Sequence, residues 1–197
     1  MDDILPFIKS RRSTRKFKDK PVEKEILIHI LEAGQYAPSS CNSQMTHFIV
    51  VQNKKILEKL AKLTQQEFSK LKINSNTEKA IANSIIASKY RNYVFHHNAP
   101  VLIITANQIE SSNNIADCSC ALENMMLMAN ALNLGSCWVN QLRWLNDNPI
   151  ILQYLSELGM KKSERVYGAL AIGYADTEDG LPLRKPLERK GNIVTFI

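Results

Sequence analysis

The chain has 197 residues, 45% hydrophobic and 22% charged, with 25 Lys and Arg against 19 Asp and Glu for a formal charge of +6. That length suits one domain with a substantial core and argues against two full domains, so a single domain over 1–197 is expected. No apolar run reaches the roughly 20 residues that span a bilayer, and the start MDDILPFIKS carries two acids, unlike a secretory leader, so the expectation is a cytoplasmic protein with no membrane partner.

In chain order, the first distinctive stretch is RRSTRKF, Arg11 to Phe17, in which Arg11, Arg12, Arg15 and Lys16 surround Ser13 and Thr14. Ile26, Leu27, Ile30 and Leu31 then recur at helical spacing and predict a helix from Val22 to Tyr36, stopped at Pro38. HFIVVQ, His47 to Gln52, is a short β-branched run and reads as a buried strand. A charged helix is expected from Lys54 to Leu71, and another from an Asn76 or Thr77 cap to Tyr93. Ala99 to Asn107 reads as a second buried strand. Ile115 to Leu134 reads as a long helix, apolar on most faces, whose Met125, Met126 and Met128 serve as core filler. Ser136 to Gln141 is expected as a third strand. A helix then starts with Asn148 as cap and Pro149 in its first turn, and Arg165 to Asp176 is the fourth strand. The closing NIVTFI has the composition of an edge strand but no local partner. Helices interleaved with about four strands give an α+β (mixed α/β) class. The apolar helix and the unpartnered tail point to docking onto another chain.

Several chemistries lack their residues. No G-x-G-x-x-G or Walker A glycine cluster is present to approach a pyrophosphate. His96 and His97 are neighbours rather than an i, i+4 metal-binding pair, and no H-E-x-x-H occurs, so they read as structural or surface residues. Cys41, Cys118, Cys120 and Cys137 form no C-x-x-C, and free thiols are expected, with Cys118 and Cys120 on different helix faces. Ser39 and Ser40 lack the G-x-S-x-G elbow of an acyl-transfer nucleophile. The scattered lysines of the 54–79 region read as a wet helix face. The basic cluster has no aromatic-rich sheet motif beside it, so nucleic acid is not an expected partner.

One positive pattern remains. A phosphomonoester calls for Arg donors and hydroxyls, and Arg11, Ser13 and Arg15 offer them at alternate positions, with Arg184 and Lys185 as a second basic contribution. Taken alone, a solvated patch reads equally well. APSSCNSQ, Ala37 to Gln44, places Ser39, Ser40, Asn42 and Gln44 on a loop whose amides and backbone suit the polar edge of a flat heterocycle, although an ordinary polar turn has the same composition.

Together these stretches resemble the nitroreductase family of FMN-dependent oxidoreductases. RRSTRKF is similar to its R-x-S-x-[RK]-x-F motif, and APSSCNSQ before FIVV is similar to its P-S-x-x-N-x-Q loop and strand. ADCSCALENMMLMANALNLGSCWVN resembles its central helix and L-G-x-x-W segment, and AIGYAD and RKPLE resemble its closing strand and tail. The resemblance implies a central, mostly antiparallel sheet flanked by helices, and a homodimer with FMN at the interface and a C-terminal tail reaching across it. Carried over by position, Arg11, Ser13, Arg15 and Arg184 would hold the phosphate end, with Arg12 at the ring or its adjoining backbone. Pro38, Ser39, Ser40, Asn42 and Gln44 would line the ring from the partner, and Trp138, Val139 and Asn140 would approach its reactive edge. No side chain is required as a nucleophile. The implied activity is hydride transfer from NADH or NADPH through FMN to a small acceptor such as a nitroaromatic or quinone, in ping-pong order. The alternative is a flavin-binding protein of the same fold with another role: dehalogenase-like, flavin-processing or non-enzymatic sensing. Three departures bear on the pocket: Met45-Thr46 stand where many relatives have Pro-Trp, Ala175 replaces a proline after Gly173-Tyr174, and Asn140 is an amide near a position often acidic in larger relatives.

Overall fold

The computed structural model describes residues 3–197. The apolar, β-branched runs become four strands: β1 (His47–Val51), β2 (Val101–Gln108), β3 (Gly135–Val139) and β4 (Glu164–Gly173). They form one sheet in the order β1-β2-β4-β3, with every neighbouring pair antiparallel. Around it lie α1 (Ile4–Ser10), α2 (Lys24–Gln35), α3 (Lys54–Ser69), α4 (Lys79–Ser88), α5 (Asn114–Ala131), α6 (Gln141–Trp144) and α7 (Pro149–Glu157). The α+β class is as expected.

The two central strands are covered on both faces, and their side chains alternate between two cores as the pleat requires. Leu102, Ile104, Ala106, Ala169 and Ala171 join Leu57, Leu60 and Phe68 of α3 and Ile151 and Leu155 of α7 in one core. Val101, Ile103, Leu170 and Ile172 join Ile30 of α2 and Leu122, Met125 and Ala129 of α5 in the other. The methionines of α5 are therefore core filler, as read from the sequence: Met125 and Met126 are buried and Met128 packs at the margin. No helix among the described residues is long and apolar enough to cross a membrane.

Local chemistry sets the element ends. The Asn148 side chain accepts from the N–H groups of Ile150 and Ile151, so the predicted cap and Pro149 start α7 as expected. Helix α5 stops three residues before its predicted end because Asn133 enters the left-handed region at φ 62°. Leu134 N–H then reaches back to Ala129 O at 2.8 Å, a Schellman closure. Helix α4 is shorter than read from the sequence at both ends. The Thr77 hydroxyl is engaged in a turn with Asn74, so the cap position falls at Glu78, and Gln65 Nε2 takes the carbonyls of Ser88 and Tyr90 just past the helix. Strand β3 ends at Val139, and Gln141, expected in the strand, opens α6. Helix α1 has no counterpart in the sequence reading. Its Ile4, Leu5 and Ile8 are exposed, so no face of it is buried within this chain. Residues 192–197 form no strand in this chain, and Phe196 is 93% exposed.

Candidate functional site

RRSTRKF is laid against the free edge of β3. Ser13 bridges Ser136 in parallel, with Thr14 N–H donating to Ser136 O at 2.8 Å. Phe17 bridges Ala175, flanked by Lys18 N–H to Tyr174 O at 2.9 Å and Asp176 N–H to Lys16 O at 3.0 Å. Gly135 permits this approach: a Cβ there would lie 2.6–2.7 Å from three Thr14 side-chain atoms. In an extended backbone, alternate side chains leave opposite faces, which separates Ser13 and Arg15 from Thr14 and Lys16.

Arg11, Ser13 and Arg15 occupy alternate positions of this extended segment and so leave the same side of it along the edge of β3. Cys137 of β3 is buried, its thiol donates to Trp138 O at 3.6 Å, and burial pushes its pKa up, with the Arg15 charge the largest influence against that shift. Arg11 Nε lies 3.7 Å from Glu123 Oε1 of α5. Arg12 turns to a different task and donates from Nη1 to Lys185 O at 2.6 Å. Arg184 donates from Nη2 to Asn130 O and to Asn133 Oδ1, both at 2.6 Å, closing the C-terminal end of α5. Asn130 Nδ2 in turn donates to Ser10 Oγ at 2.9 Å, tying the same helix end to the start of the basic stretch. Four arginines, Arg11, Arg12, Arg15 and Arg184, thus gather around β3 and the end of α5. Among the described residues, Arg11 with Glu123 is the only one of them in an ion pair.

The second expected group sits on the loop between α2 and β1. Pro38 and Ser39 leave the helix, Ser40–Asn42 make a single 3-10 turn, and Cys41, Asn42 and Gln44 hold φ of 51°, 54° and 51°. Ser39 Oγ accepts the Gln44 N–H at 3.0 Å, and the Ser40 N–H donates to Asp117 Oδ1 of α5 at 3.1 Å. Pro38, Ser39, Asn42, Gln44, Phe48 and Asp117 are among the residues lining a cleft of about 700 Å³. Gly34 forms part of its wall, where an added Cβ would stand 2.9 Å from Met125 Cγ. None of the arginines lines this cleft.

The third group divides by strand alternation. Trp138 packs on the α5 face of the sheet, next to Gly168, and its Nε1 donates to Asn140 Oδ1 at 2.8 Å. Val139 is 5% exposed and its side chain belongs to the opposite core, which leaves only its backbone to meet a ligand. Asn140 is half-buried at the start of α6. The sequence reading did not include Asp117, Glu123 or Gly135. Asp117 had a visible signal, as one of two acids in a mostly apolar helix.

The chain is 34% identical to a nitroreductase from Bacteroides fragilis whose crystal structure holds bound FMN, with 100% of both chains covered and a TM-score of 0.85. It is 25% identical over 205 residues to nitrobenzene nitroreductase of Ectopseudomonas oleovorans, covering 89% of this chain and 87% of that one. Over 63 residues it is 40% identical to an FMN reductase (NAD(P)H) of Bacillus subtilis, covering 32% of this chain and 25% of that one. The nitroreductase family pattern extends over residues 8–174, from the basic stretch through the end of β4, and the chain belongs to that family.

Proposed function

We propose that this chain is an FMN-dependent oxidoreductase that acts as a homodimer. The observation that carries the reading is the basic stretch fixed in extended form on the edge of β3, which sends Arg11, Ser13 and Arg15 to one side, where two guanidinium groups and a hydroxyl can take one phosphate. The donor set fits FMN at both ends. The basic cluster suits the phosphate, and Asn42, Gln44 and the backbone of the 39–44 loop suit the polar edge of the ring. When bound, FMN supplies the redox chemistry: hydride from NADH or NADPH is taken up and passed to an acceptor such as a nitroaromatic or quinone, in ping-pong order.

The protein's own work is binding and placement. Arg11, Ser13 and Arg15 hold the phosphate. Arg12 and Arg184 act one step removed, by fixing the tail against the basic stretch and the end of α5. Trp138 and Asn140, hydrogen-bonded to each other, form a rigid border at the end of β3. The arginines and the loop do not share one cleft within a chain, which supports a site completed by the 38–44 loop of a second copy. Exposed Ile4, Leu5 and Ile8 of α1, Tyr36 and Met45 near the loop, and Ile193, Val194 and Phe196 of the tail provide apolar surface for that association.

The test is spectroscopic. The purified protein incubated with FMN should retain a yellow chromophore through gel filtration, and the colour should bleach under anaerobic NADH or NADPH and return with a nitroaromatic or quinone. A protein that takes up no flavin overturns the reading. Flavin held firmly but reduced by neither nicotinamide replaces it with a non-enzymatic flavin-binding role.

A further inference from the structure

The loop over the cleft is strained. Three non-glycine residues within four positions, Cys41, Asn42 and Gln44, hold positive φ between 51° and 54°. An L-residue in that region is disfavoured, Asn least so, and such strain persists only where surrounding contacts impose it. Two side chains impose it here. Ser39 Oγ braces the loop internally through the Gln44 N–H, and Asp117 Oδ1 holds it to α5 through the Ser40 N–H.

Asp117 is an unusual residue for that position. It is 5% exposed in the first turn of α5, between Ala116 and Cys118, and among the described residues its Oδ2 is covered and has no hydrogen-bond partner. Burying a carboxylate with one oxygen unsatisfied opposes folding, so stability alone does not account for it. An acid in the first turn of a helix gains from the helix dipole, but that gain does not require the Ser40 contact or a place in the cleft lining.

We propose that Asp117 is the positioning residue of the ligand loop: by accepting the Ser40 N–H it holds residues 39–44 in the strained form that presents Ser39, Asn42 and Gln44 to the cleft. This rests on the FMN-binding reading above. The group required is an acceptor oxygen at Oδ1, which an amide also supplies.

The test compares wild type, Asp117→Ala and Asp117→Asn for FMN dissociation constant, with amide exchange of the 39–46 segment measured without FMN. Asp117→Ala should weaken FMN binding by about tenfold or more, the scale of a lost hydrogen bond to a charged group, and should speed exchange across the loop. Asp117→Asn should stay within about threefold of wild type, because the carbonyl still accepts from Ser40. A purely structural role predicts lowered melting temperatures with FMN affinity unchanged in the folded fraction, and that result overturns the proposal. An Asp117→Asn loss equal to that of Asp117→Ala also overturns it. Should Asp117→Ala fail to fold, exchange in the wild type decides: a protected Ser40 N–H supports the proposal, and one exchanging like an open loop overturns it. Failure of the FMN reading is separate, because the wild type itself would then bind no flavin.

Discussion

At the scale of single residues, the site depends on which side each member of RRSTRKF faces. Arg15 and Ser13 leave the same side of the extended stretch along β3, while Arg12 is committed to Lys185 O. Arg15→Ala should therefore weaken FMN binding by roughly 1.5–3 kcal/mol, the scale of a charged hydrogen bond, in a fluorescence titration. Unchanged affinity would remove Arg15 from the phosphate site. Gly135 governs the same contact from below. In Gly135→Val the new side chain meets Thr14, so the basic stretch should lift from β3, with a loss of about 1–3 kcal/mol in denaturant unfolding and a parallel loss of FMN affinity. The basic motif was legible because charge and spacing are properties of a short stretch. The need for glycine at 135 was not, since it arises from a residue 121 positions earlier in the chain (135 − 14).

At the scale of elements, the sequence was most informative where local chemistry decides the outcome. Asn148 capped α7 as read, and it also donates from Nδ2 to Glu67 Oε2 of α3 at 2.9 Å. Asn148→Ala should cost about 1 kcal/mol through the cap, with a further loss from the buried Glu67, measured by urea unfolding. Helix ends were less legible where a distant side chain intervened, as Gln65 does beyond α4. The length of α5 was overread because its apolar residues continue past Asn133, while the backbone reverses there. Helix α1 escaped notice although Ile4, Leu5 and Ile8 fall at helical spacing, because seven residues hold barely two turns of the pattern. The candidate loop residues were legible as a motif. Their left-handed backbone and the Asp117 support were not, because both depend on packing against α5.

At the scale of the whole molecule, acid should weaken the fold in two stages. His96 is 4% exposed, and burial lowers its pKa from the ordinary 6.5 to about 4. Below pH 6.5 the unfolded chain takes up a proton that the folded chain refuses. Stability is therefore full above 6.5 and declines as pH falls towards 4, by roughly 3 kcal/mol. His96→Phe should flatten that limb in urea titrations at pH 7 and pH 5; an unaltered slope would mean that another group is responsible. Glu67, lowered by Lys70 and Asn148, adds a second limb. So does Glu164, where burial acts upward but His47 and the Lys161 N–H outweigh it. Carboxylates lowered in the fold contribute above their ordinary 4.5, and that contribution is lost as pH falls below it. Association belongs to this scale too. Deleting residues 192–197, whose Ile193, Val194 and Phe196 find no cover in one chain, should shift sedimentation towards the monomer and lower FMN occupancy.

The bond from Arg12 to Lys185 O spans 173 positions. During synthesis the basic stretch leaves the ribosome early, but its β3 edge arrives only after about two thirds of the chain, and its tail contact only when nearly all of the chain has followed. A nascent chain therefore carries an exposed cationic segment through most of its elongation, and cofactor capture becomes a late event in biogenesis. Ribosome-bound chains arrested before residue 135 should acquire no flavin, whereas chains extended past residue 185 and clear of the exit tunnel hold every contact of the basic stretch described within one subunit.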